Sequence, residues 1–111
     1  MQQLEVLKSA SMIDDDVFDF AKQVILFLEE KYEIETGMET VIIHLAMASQ
    51  RIRNGAIVDE MGEEIFESVK ESDHYEEASK LWMEIKSFTE IIYPYSEEQY
   101  MLLHLCNILN Q

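Results

Sequence analysis

Apolar residues recur along this chain at intervals of three and four, the spacing that places side chains on one face of an α-helix. The clearest such stripe consists of Val17, Phe20, Ala21, Val24, Ile25 and Leu28. No segment alternates apolar and polar residues for long, and the chain has only three Gly and one Pro, so few turns are forced. The pattern therefore predicts an all-α protein.

Stripes and capping residues together predict five helices, two of them in the first half of the chain. The first follows the acidic cluster 14–16 and runs to about Lys31, because carboxylates stabilise the positive end of a helix. The second begins between Thr36 and Glu39 and continues to Gly55, a residue suited to the left-handed position after a helix.

The other three helices are predicted in the second half. A short acidic segment, about residues 60–71, is the third, and an apolar stripe from Tyr75 onward is the fourth, which Pro94 ends. Ser96 has Gln99 three residues after it, a capping-box signature for a fifth helix that runs to the end of the chain.

Length and composition bound what these helices can form. A chain of 111 residues is the size of one domain, and 48% apolar residues is too many for a disordered acidic tail, so we expect one domain over residues 1–111. The lone Cys106 cannot form an internal disulfide, and the N-terminal residues lack the features of a signal peptide. No apolar run approaches the roughly 20 residues of a membrane span. These features predict a soluble, cytoplasmic protein.

The net charge disfavours two classes of partner. Asp and Glu outnumber Lys and Arg by 23 to 8, which gives a formal charge of −15. This field repels nucleic acid and anionic membranes, so we expect direct contact with neither.

Charge is nearly absent from two of the predicted helices. No Asp, Glu, Lys or Arg lies between Glu39 and Arg51, and none follows Glu98. Such helices are buried on most sides, either in the centre of a bundle or in a subunit interface. Each carries one histidine between apolar neighbours, His44 in the second helix and His104 in the fifth.

These two histidines are the first candidates for chemistry, because imidazole can take a proton, a metal or a phosphoryl group near neutral pH. Arg51 lies seven residues after His44 and so on nearly the same side of the helix. A guanidinium is a poor neighbour for imidazolium and a good one for an acquired phosphate. The alternative is that both histidines are core residues whose nitrogens find hydrogen-bond partners.

Other chemistries have weaker support in the sequence. A zinc site would use His44, His74, His104 and Cys106. The last two are two residues apart on a helix and point to different sides, which disfavours that site. Adjacent carboxylates such as Glu97 and Glu98 are typical of a solvated face, and no phosphate loop or nucleophile motif occurs. We therefore expect no enzyme and no cofactor, and we assign no role to His74.

Two motifs resemble a known family. The run from His44 to Arg51, HLAMASQR, resembles the HLxxAxxR signature of the phosphotransferase-system regulation domain (PRD), found in bacterial antiterminators and transcriptional activators of sugar operons. The segment 95–105 is similar to the family's closing motif, and its His104 lies sixty residues after His44. The similarity covers about residues 10–111. The chain departs from the family at Gln99, where Glu is usual, and after Gly55, where the common Asn-Pro is missing.

The resemblance implies a compact five-helix bundle that forms homodimers. It also implies that His44 and His104 accept phosphate from HPr or an enzyme II component, and that Arg51 is the family's arginine after the first histidine. In regulators of this family the domain is attached to an RNA- or DNA-binding module. We expect no residues of this chain to be left for such a module, so the signal would pass to an unknown regulated protein. The rival interpretation is a structural bundle, a homodimer or complex subunit, whose histidines are merely buried.

Overall fold

The computed structural model describes residues 2–33 and 37–110, which form six α-helices and no strand. The helices are α1 (Gln2–Ser9), α2 (Asp15–Lys31), α3 (Met38–Arg53), α4 (Glu63–Lys70), α5 (Tyr75–Lys86) and α6 (Tyr95–Leu109). The all-α prediction is confirmed, whereas the predicted number of five helices is wrong because α1 precedes them.

Helix α1 was not predicted because it has only eight residues and one buried side chain, Leu4, which cannot form a stripe. It packs on α2 and α3. Leu4 is 1% exposed and belongs to the same core as the later helices. Residues 2–9 therefore share one core with the later helices.

The beginning of α2 is fixed by local capping, as the sequence predicts. The Asp14 carboxylate accepts a hydrogen bond from the Val17 backbone N–H at 2.9 Å. Burial acts to raise the pKa of Asp14, but this hydrogen bond and the nearby Arg53 guanidinium together hold that pKa below its usual value. Arg53 Nε lies 2.8 Å from Asp14 Oδ2, so the same residue also ties the start of α2 to the end of α3.

Helix α3 begins and ends close to the predicted positions. It starts at Met38, and Thr36, the earliest predicted start, lies outside the described residues. At the other end Gly55 has φ +81°, and its N–H donates to the Ile52 carbonyl while that of Ala56 donates to the Arg51 carbonyl. This is a Schellman cap, which confirms the prediction for Gly55.

Helix α4 is shorter than predicted, and α5 ends at Lys86, well before Pro94. Tertiary contacts explain the early end of α5. The Phe88 ring packs edge-on against Phe27 with centroids 5.3 Å apart, and the buried Tyr93 hydroxyl shares a 2.6 Å hydrogen bond with that of Ser49. These contacts draw the connecting segment across the bundle.

The capping box predicted for the last helix is wrong. Helix α6 begins at Tyr95, with Pro94 as its N-cap residue, so Ser96 is already inside the helix and is buried. The Gln99 side chain instead accepts a hydrogen bond from the Met61 backbone N–H at 2.9 Å. Gln99 therefore anchors the loop that leads to α4.

Helices α3 and α6 form the middle of the bundle. α3 packs against α2 and α6, and α6 also packs against α4 and α5. Ile42 and Leu45 of α3 and Leu105 of α6 are fully buried, as expected for helices with little charge. Within the described ranges no helix is both long and apolar enough to cross a membrane.

Candidate functional site

The packing of α3 against α6 brings the two predicted histidines into direct contact. The rings of His44 and His104 are stacked, with centroids 4.1 Å apart and planes inclined by 20°. His44 is exposed and His104 is half-buried. Two residues that are sixty positions apart in the chain are therefore in direct contact.

The histidine pair borders a cleft of about 310 Å³. The cleft is lined by His44, Ala48 and Arg51 of α3, by Val58 and Asp59 of the following loop, and by Glu97, Tyr100, Met101 and His104 of α6. His44, Asp59 and Tyr100 are exposed, so the cleft is open to solvent. The structure thus places all three predicted site residues on one accessible surface.

Arg51 is held in a two-point ion pair with Glu97. Its Nε donates to Glu97 Oε2 at 2.9 Å, and its Nη2 donates to Oε1 at 3.1 Å. The Glu97 side chain is 2% exposed and that of Arg51 is 36% exposed. Taking a carboxylate out of water is costly unless a charged partner compensates, and paired forks of this kind are geometrically rigid.

This pair leaves Arg51 able to bind an anion. A guanidinium has five N–H donors, and Glu97 takes two of them, which leaves three for other groups. Because Arg51 is fixed on one edge and borders the cleft, it forms a positioned donor beside the histidines. The sequence predicted that Arg51 lies near His44, but it did not indicate that Glu97 fixes the orientation of the guanidinium.

The prediction that Glu97 and Glu98 lie on a solvated face is wrong. Glu97 is buried against Arg51, and Glu98 accepts a 2.7 Å hydrogen bond from Trp82 Nε1 while also pairing with Lys86. Glu97 is a site residue that the sequence did not indicate. Its signal was weak, since Arg51 lies 46 residues away and one sequence does not reveal which distant residues pair.

Burial changes the chemistry of His104. Loss of solvation lowers the pKa of His104 to about 4, and the neighbouring His44 acts in the same direction. At neutral pH the ring is therefore uncharged, with one nitrogen carrying an available lone pair. Such a ring is a nucleophile rather than a cation.

The four residues of the zinc hypothesis do not form one site. Imidazole lone pairs lie in the ring plane, so the nearly parallel rings of His44 and His104 do not direct them at a common point. Cys106 lines a different cavity, of about 210 Å³, together with Ser72. His74 is the residue before α5. Across residues 2–33 and 37–110, no group of three or more His, Cys, Asp or Glu side chains is placed to hold a metal ion.

Comparison with protein families gives a match. The model of the PRD domain family matches residues 22–108, which include both histidines, Arg51 and Glu97. The matched segment begins within α2 and leaves out α1. Comparison with curated proteins and with solved structures gives no match.

Proposed function

Because the chain belongs to the PRD family, we propose that it is a regulatory module of the bacterial sugar phosphotransferase system. In this proposal His44 and His104 are phosphoacceptors, and the module signals through contacts with other proteins rather than by catalytic turnover. The observation that carries the proposal is the stacked histidine pair in an open cleft beside Arg51.

The proposed reaction is phosphoryl transfer from a phosphohistidine of HPr or of an enzyme II component. The lone pair of a neutral acceptor ring attacks phosphorus, and the donor's P–N bond breaks with its electron pair going to the donor nitrogen. The acceptor ring gives up its remaining N–H proton and the donor ring gains one, so phosphoryl and proton move in opposite directions. The low pKa of His104 keeps that ring in the reactive form.

Phosphorylation changes the charge between α3 and α6. A phosphoryl group brings about 1.5 to 2 negative charges and several strong acceptor oxygens near the remaining N–H groups of Arg51. Arg51 then interacts with both the phosphate and Glu97, and the packing of α3 on α6 adjusts. A homodimer partner or an unknown regulated protein responds to this change in packing.

The test is labelling with phosphoenolpyruvate, enzyme I and HPr. We expect an acid-labile label on the protein, and we expect it to disappear in the variant that combines His44→Ala with His104→Ala. The matched control is His74→Ala, which removes a histidine outside the cleft and keeps the label. Circular dichroism checks that each variant stays helical.

Absence of label on the wild-type protein, or label that persists in the double variant, contradicts the proposal. A wild-type protein that is never labelled but forms a stable dimer supports the rival function, a structural dimerisation or complex-subunit domain.

A further inference from the structure

We propose that the His44–His104 pair holds only one phosphoryl group at a time, so that phosphorylation of either ring prevents phosphorylation of the other. The inference rests on the proposed function, because it concerns how the same cleft is loaded. In this proposal the two histidines are alternative acceptors of a single phosphoryl group and not two independent phosphorylation sites.

The two rings lie so close together that phosphates on both would repel each other. Stacked rings with centroids 4.1 Å apart keep any two phosphoryl groups on them within about one Debye length of each other at physiological salt, which is about 8 Å. Each group carries about 1.5 to 2 negative charges at neutral pH, so their repulsion is roughly two to four times that of unit charges at the same separation. The incoming donor is itself phosphorylated and meets the same repulsion.

The cleft has positive charge enough for only one phosphoryl group. Among the described residues that line the cleft, Arg51 is the one Lys or Arg, and it is already paired with Glu97. Asp59 adds a further negative charge. The three remaining N–H groups of Arg51 suffice for one phosphoryl group, and a second group finds no cation in this lining.

The covalent step is the one proposed above and occurs once per chain. One P–N bond forms on either His44 or His104, the P–N bond of the donor breaks, and one proton passes from the acceptor ring to the donor ring. The second ring stays unmodified until the first P–N bond is cleaved.

Intact-mass spectrometry at neutral pH, with excess phosphoenolpyruvate, enzyme I and HPr, tests the inference. We expect wild-type protein to saturate at one added phosphoryl group. We expect His44→Ala and His104→Ala each to accept one group as well. The doubly phosphorylated fraction of the wild type is expected to fall at least about tenfold below the product of the two single occupancies, because of the repulsion between neighbouring phosphates.

Two results overturn the inference without touching the proposed function. One is a doubly phosphorylated species at the level of independent sites, and the other is label in only one of the two single variants, since the pair then has a single acceptor. Complete absence of label on the wild type is a different result, and it contradicts the proposed function itself.

A charge variant tests the electrostatic basis. Asp59→Arg adds a second guanidinium at the cleft, and we expect it to raise the doubly phosphorylated fraction severalfold. Asp73→Arg is the matched control, because Asp73 is also an exposed loop residue but does not line the cleft. No increase with Asp59→Arg, or an equal increase with Asp73→Arg, contradicts this basis.

Discussion

At the scale of single residues, the environment of Glu97 decides how Arg51 behaves. The carboxylate is almost fully buried, while the guanidinium lies at the cleft and stays partly hydrated. Removing the arginine therefore leaves a buried negative charge without its partner, which is far more costly than removing an exposed ion pair. This asymmetry distinguishes Arg51 from Arg53, because the carboxylate partner of Arg53, Asp14, is 36% exposed whereas Glu97 is 2% exposed.

We predict that Arg51→Met lowers the free energy of unfolding by about 2 to 3 kcal/mol, because it leaves the buried carboxylate of Glu97 without its ion-pair partner. Arg53→Met is the matched control and costs at most about 1 kcal/mol. Combining Arg51→Met with Glu97→Leu restores most of the loss, since neither charge then remains. Urea unfolding of the four proteins measures these differences, and equal losses for the two arginine variants would refute the explanation.

The two histidines differ in how exposed they are to solvent. His44 is exposed on α3, whereas His104 is half-buried and has a pKa of about 4. Since the donor must reach the ring, exposure favours His44, and since a neutral ring is the nucleophile, the low pKa favours His104. The pair thus combines one accessible ring with one that is uncharged across the physiological range.

At the scale of elements, α1 contributes one fully buried side chain to the core, Leu4, and one partly buried side chain, Leu7. Leu4 is 1% exposed among residues of α2 and α3, whereas Val6, two residues later on the same helix, is 57% exposed. A helix of eight residues has little stability of its own, so its packing against the core, in which Leu4 is the most buried side chain, keeps α1 in place.

We predict that Leu4→Ala lowers the free energy of unfolding by about 2 to 3 kcal/mol, through lost burial and the cavity left behind. Val6→Ala, on the same helix, changes the stability by less than about 0.5 kcal/mol because the side chain is mostly exposed. Chemical denaturation followed by circular dichroism gives both values. Similar values for the two variants would show that α1 does not pack as described.

The elements also show where sequence reasoning succeeds. The limits of α2 and α3 follow from local features, the Asp14 cap and the Gly55 turn, and both were predicted. The end of α5 and the start of α6 depend on Tyr93 reaching Ser49 across the bundle, which no local pattern reveals. Each histidine could be assigned to a helix from the sequence, but their stacking depends on how α3 meets α6.

At the scale of the whole molecule, the charge of −15 is a property of the surface more than of the site. Six of the eight basic residues lie in ion pairs: Lys8, Lys31, Arg51, Arg53, Lys70 and Lys86. Acidic residues outnumber basic ones 23 to 8, so most carboxylates cannot each be paired with a basic side chain. Self-repulsion of this kind opposes the compact state.

The size of the molecule makes this repulsion depend on salt. Its principal extents are 38, 32 and 21 Å. The Debye length is about 30 Å at 0.01 M salt and about 8 Å at 0.15 M salt. At the lower concentration charges on opposite sides of the bundle therefore repel one another, whereas at the higher one only close neighbours do.

We therefore predict that raising NaCl from about 10 mM to about 150 mM increases the free energy of unfolding by about 1 kcal/mol. The variant that combines Glu29→Gln with Glu30→Gln removes two exposed charges at the negative end of α2, so it should be more stable at low salt and respond less to salt. Glu63→Gln with Glu64→Gln removes the same charge from the positive end of α4, so its salt response should shrink without that gain. Urea midpoints at the two salt concentrations measure each response. A midpoint that falls with salt would mean that attraction within the ion pairs, not repulsion among the carboxylates, dominates the electrostatic energy of the fold.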